Sequence, residues 1–89
     1  MDSLSAISFV KRGKNRKIVF IALSKPMMPS ELVMKIYAKN SNTYFNIVSR
    51  ALAELTKKGI IEILNPKERT GRIYQRTKLG KIIFERIKE

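Results

Sequence analysis

A chain of 89 residues, 44% of them apolar, has material for one small domain, residues 1–89, and one core, but not for a deep enclosed cavity as well. Nineteen Lys and Arg stand against seven Asp and Glu, and the resulting formal charge of +12 calls for a polyanionic partner, nucleic acid ahead of an anionic membrane surface. With no cysteine and no histidine, a disulfide framework, a thiolate metal site, a cysteine nucleophile and the commonest general base are excluded.

The longest apolar run, Ile18 to Leu23, has six residues, far short of the ~20 that span a bilayer. No basic-then-apolar leader pattern opens the chain. The expectation is a protein of the cytoplasm, associated with the nucleoid, with no membrane contact.

In chain order, Leu4, Ile7, Phe9 and Val10 suggest a short amphipathic turn or helix, which Gly13 breaks. Lys14 to Leu23 reads as a helix, apolar nearly all round from Ile18 onward, so it needs cover on more than one side. Pro26 and Pro29 mark a break. Pro29 suits the first turn of a second helix, with Glu31 near its positive end and Leu32, Val33, Ile36 and Tyr37 on one buried face. Lys39, Asn40 and Ser41 form a polar turn.

A third helix starts at Ser41 or Asn42, both good N-caps, and runs to about Lys58, where Gly59 stops it. Phe45, Val48, Leu52 and Leu55 fall on one stripe at ~100° per residue. The opposite stripe carries Thr43, Asn46, Ile47, Arg50, Glu54 and Lys57. Ile60 to Leu64 and Arg72 to Arg76 are short strands that make a hairpin, with a polar loop opening at Asn65-Pro66 and closing at Gly71. Thr77 caps a last helix, whose inner face is Leu79, Ile82, Ile83 and Ile87, with Phe84 pointing elsewhere. The expected fold class is mainly α with a β-hairpin wing, a winged helix-turn-helix.

The charge is clustered. Lys11, Arg12, Lys14, Arg16 and Lys17 place five cations in seven residues. Lys67, Arg69, Arg72, Arg76, Lys78 and Lys81 form a second group, opposed only by Glu68.

Val48-Ser49-Arg50-Ala51-Leu52, Glu54-Leu55, Lys58-Gly59-Ile60-Ile61 and Thr77-Lys78-Leu79-Gly80-Lys81 resemble the winged-helix transcriptional regulators of the MarR/ArsR type, especially small archaeal or archaeal-virus members. Pro29-Ser30-Glu31-Leu32 matches the opening of their second helix. The resemblance covers about residues 9 to 87 and implies double-stranded DNA as the partner. One departure is Met28, where such helices usually place Ser or Thr; a lost side-chain cap is worth ~1 kcal/mol.

In helix-turn-helix docking the start of the recognition helix, about 42–58 here, meets base edges. Asn46 then suits adenine, and Arg50 guanine or a phosphate. Thr43 and Ser49 suit either base or phosphate, Tyr44 a phosphate through its hydroxyl, and Ile47 a thymine methyl group. The wing, about 65–72, offers Lys67, Arg69 and Arg72 to the backbone or minor groove. Arg16 and Lys17 are candidates for flanking phosphates. Surplus apolar surface at Leu4, Ile7, Phe9, Ile18, Ile21, Phe84 and Ile87 points to a homodimer, unless the N-terminal segment folds back and covers it.

No phosphate-binding glycine loop, acidic pair, nucleophile elbow or metal-ligand cluster is present, so neither enzyme activity nor a cofactor nor a metal is expected. A sequence-specific regulator is the leading expectation. A non-specific chromatin or architectural protein, and a winged-helix module docking protein or RNA, are the alternatives, because the charge alone supports all of them.

Overall fold

The computed structural model describes residues 3–87. The elements run α1 (Ser3–Arg12), α2 (Lys14–Ala22), α3 (Pro29–Tyr37), α4 (Asn42–Lys57), β1 (Ile61–Ile63), β2 (Tyr74–Arg76) and α5 (Lys78–Ile87). The fold is mainly helical with one two-stranded antiparallel hairpin, in which Ile61 faces Arg76 and Ile63 faces Tyr74.

Local chemistry sets the boundaries. Ser41 caps α4, its Oγ accepting the Tyr44 amide at 3.1 Å. Gly59 follows the helix with φ +73°, a left-handed conformation that costs glycine little. At the start of α3 the absent hydroxyl of Met28 is offset from the other side, because Glu31 Oε1 accepts the Met28 amide at 2.8 Å. That is the reciprocal half of a capping box. Thr77 Oγ1 accepts the Gly80 amide at 3.1 Å and donates to the Gly59 carbonyl at 2.7 Å, so one hydroxyl starts α5 and ties it to the end of α4.

The core is one cluster. Val19, Phe20 and Leu23 of the α2 region meet Leu32 and Val33 of α3, Val48, Leu52 and Leu55 of α4, Ile60 and Ile61 at the first strand, and Ile83 of α5. Burial of such side chains contributes roughly 1.5–3 kcal/mol each. Among the described residues no polar or charged side chain is buried. The loop after α2 adds a bridge to the hairpin: Met27 and Tyr74 exchange backbone hydrogen bonds at 3.0 and 2.9 Å.

Several expectations need correction. The helix expected over Lys14 to Leu23, α2, ends at Ala22, and it is not covered all round: Ile18 and Ile21 remain exposed while Val19 and Phe20 are buried. The strands are three residues each, shorter than expected. Phe45, read as part of the inner stripe of α4, is 45% exposed. On α5, Ile82 is 49% exposed, while Phe84 turns inward against Phe20 with ring centroids 6.4 Å apart. The buried faces are set by several neighbours at once, α2, α3 and β1 around α4, and α1 and β2 around α5.

α1 folds back and packs on both α2 and α5. Ile87 is thereby 5% exposed and belongs to the core, and Ile7, Phe9 and Phe84 pack against it. This removes Ile87 from any subunit surface and leaves Leu4, Ile18 and Ile21 as the exposed members of the expected interface.

Candidate nucleic-acid interface

Successive residues of an α-helix are turned by ~100°, so the middle of the exposed face of α4 is occupied by Asn42, Asn46 and Arg50, with Thr43 beside them. All four are exposed. The face carries amide, hydroxyl and guanidinium groups, which hydrogen-bond in a plane and in forks. Its single acid toward the C-terminal half, Glu54, is paired with Arg16 at 3.5 Å.

The two flanks differ. Toward α2, Ile47 is partly buried and shares a shallow depression with Asn15, Arg16 and Arg50. Toward the hairpin, Phe45 and partly buried Ser49 line a cleft of about 400 Å³ whose opposite wall is Arg69, Thr70, Gly71 and Arg72. Tyr44 is placed inward of these. Its ring stacks on Tyr37 at 4.1 Å and 3°, which joins α3 to α4 across the turn between them.

The hairpin tip is built by Asn65. Its Oδ1 accepts the Ile73 amide at 2.8 Å and its Nδ2 donates to the Gly71 carbonyl at 3.1 Å. Arg72 Nε donates to the Glu68 carbonyl at 2.7 Å, which fixes the root of that side chain within the loop. Gly71 sits at φ +66°. Lys67 and Arg69 are exposed. The tip is therefore an ordered cationic projection beside the exposed face of α4. Nothing in the sequence singled out Asn65 as its organiser, although an Asn-Pro pair is a turn signal.

The first basic cluster behaves differently. Arg16 turns inward: Nε and Nη2 donate to the Phe9 carbonyl at 2.9 and 2.8 Å, and the guanidinium lies 3.9 Å from the centre of the Phe9 ring. With Glu54 on Nη1, this one side chain joins α1, α2 and α4. The run of five cations hides that role, because its partners lie on other elements. Lys17 is partly buried on α2.

Arg76 shows the same behaviour in the second cluster. It donates to the carbonyls of Phe20 at 2.9 Å and Ile21 at 3.0 Å, and burial lowers its pKa from the ordinary arginine value. The cations that remain outward around the cleft are those of the tip and of α4.

Among the described residues no group of acids could hold a metal ion, and no helix is long and apolar enough to cross a membrane. No protein family, curated protein or solved structure matches the chain.

Proposed function

We propose that this chain is a winged helix-turn-helix protein that binds double-stranded DNA and regulates transcription. In this reading α3 and α4 form the helix-turn-helix, the hairpin is the wing, and the family likeness is to MarR/ArsR-type regulators. The observation that carries it is the pairing of two neighbouring surfaces: the exposed amide, hydroxyl and guanidinium face of α4, and the cationic tip formed by Lys67, Arg69 and Arg72. α4 enters the major groove with Thr43, Asn46 and Arg50 toward base edges. The tip follows the backbone or enters the adjacent minor groove. Lys17 and Ser49 serve phosphates at the two sides. Arg16 is assigned to holding α1, not to DNA.

A dimer completes the reading, with Leu4, Ile18 and Ile21 supplying the apolar surface that α1 leaves open. Two-fold symmetry then places half-site centres about one helical turn, ~34 Å, apart. The test is selection of bound duplexes from a random pool. An enriched palindrome supports a dimeric, sequence-specific regulator. Retention of all sequences with equal affinity supports a non-specific architectural role, to which the charge of +12 is equally suited. Absence of duplex binding at low salt overturns the assignment and leaves a protein- or RNA-docking module.

A further inference from the structure

The cleft between α4 and the hairpin contains a feature that hydrogen bonding to bases or phosphates does not use. Phe45 is 45% exposed on an otherwise polar face, the cost of leaving a large aromatic side chain in water. Its neighbours in the cleft are Met28 and Tyr74 on the apolar side and Arg69 and Arg72 on the rim, and among the described residues no acid lines it. The cleft is held open by fixed groups. Tyr74 is tied to Met27 through the backbone, and the Asn65 side chain binds the loop on both sides of Arg72.

We propose that Phe45 reads a thymine, its ring packing on the C5-methyl group while the rim arginines face the adjoining phosphates. The inference rests on the DNA-binding reading above and adds to it the base that the cleft selects. A DNA duplex is polar almost everywhere in its major groove. Its one apolar group on a base edge there is the thymine methyl, and phenylalanine is among the side chains that contact it.

The position of Phe45 decides against the other uses of an aromatic ring. Phe45 is rotated by ~100° about the helix from Asn46, which lies at the centre of the exposed face. Side chains that wedge between stacked base pairs do so from the minor groove, whereas α4 is assigned to the major groove. Phe45 projects sideways toward the hairpin, as a ring laid along the groove wall does. The cationic rim matches the phosphates on either side of such a base. Ile47, the apolar residue that the sequence offers for this contact, is turned to the opposite flank and partly covered by α2.

The experiment uses the duplex that the full chain selects from a random pool. Each thymine in turn is replaced by deoxyuridine, which removes the methyl group and keeps every hydrogen-bonding group. For the wild-type protein, one substitution per half-site should weaken binding about fourfold, the worth of one buried methyl group. With Phe45→Ala, whose folding is checked by circular dichroism, the same substitution should change nothing, while Phe45→Leu should retain part of the discrimination. If the wild type selects a site yet tolerates every deoxyuridine, the thymine assignment is overturned and the regulator reading stands. The assignment is equally overturned if Phe45→Ala weakens all sequences alike, since the ring then packs on sugars. Failure to select any site removes both.

Discussion

The guanidinium of Arg76 lies 3.8 Å from the centre of the Phe84 ring, at the point where β2 meets α2 and α5. The same group donates to the last carbonyls of α2, those of Phe20 and Ile21, which have no partner within their own helix. A cation at a helix C-terminus also complements the helix dipole. Arg76 thus joins the base of the hairpin to two helices.

Replacing this residue tests whether the second basic cluster is one surface or two. Arg76→Ala should lower stability in urea unfolding by about 2–3 kcal/mol, the worth of charged hydrogen bonds plus ring contact. Arg76→Lys should recover only part, because an ammonium lacks the planar fork. In the proposed DNA-binding reading, the salt dependence of duplex binding should not change in either variant. A variant of full stability with a shallower salt slope would instead make Arg76 a phosphate contact.

Gly80 lies on the buried side of α5, and a Cβ at that position would run into the carbonyl oxygen of Ile60. In an exposed helix, glycine to alanine gains ~1 kcal/mol from propensity. Here the sign reverses, since the obstacle is backbone that the Thr77 hydroxyl also holds, at 3.0 Å from the same carbonyl. Gly80→Ala should therefore destabilise the protein by about 1–3 kcal/mol, read as a lower urea midpoint. The threonine and glycine of the Thr77-Lys78-Leu79-Gly80 segment are accounted for by this junction alone, without any contact to DNA.

Ala38 ends α3 at φ 55°, a left-handed position filled by a residue that carries a Cβ. Gly59 performs the same task after α4 with no such strain. The left-handed conformation costs a side-chain-bearing residue about 1–2 kcal/mol, and glycine returns part of that gain through greater freedom in the unfolded chain. Ala38→Gly should raise the midpoint of thermal unfolding by roughly 2–4 °C, equivalent to about 0.5 kcal/mol in a domain of this size. A lowered midpoint would mean that the turn between α3 and α4 depends on the stiffness of alanine.

These residues also explain which features the sequence reveals. The ends of α4 are legible because Ser41 and Gly59 act within a few residues of themselves. The coarse architecture, mainly helical with one hairpin, follows from such local signals taken in order. Phe45 and Ile47 are misplaced relative to each other because periodicity gives the direction of a buried stripe but not its width. That width depends on the hairpin and on α2, which cross the helix from distant parts of the chain. Arg76 is hidden for the same reason: its acceptors lie 55 and 56 residues away. A run of cations in a sequence carries no sign of which members turn inward.

The division of labour among the cations gives a final prediction in which Arg16 and the hairpin tip must behave oppositely. Each phosphate neutralised contributes about −0.9 to the slope of log affinity against log salt. In the proposed DNA-binding reading, removing Lys67 and Arg69 together should therefore flatten the slope by up to about 1.8, with little effect on unfolding, because both side chains are exposed and the loop keeps the hydrogen bonds of Arg72 and Asn65. Arg16→Ala should do the reverse. It removes two hydrogen bonds to the Phe9 carbonyl, the Glu54 pair and the contact with the Phe9 ring, so stability should fall by roughly 1–3 kcal/mol while the slope stays unchanged. Hydrogen exchange should show the loss concentrated in α1, which Arg16 fastens to α2 and α4. A slope reduced by about one unit in Arg16→Ala would show that the guanidinium leaves Phe9 for a phosphate when DNA binds, and α1 would then loosen in the complex rather than in the free protein.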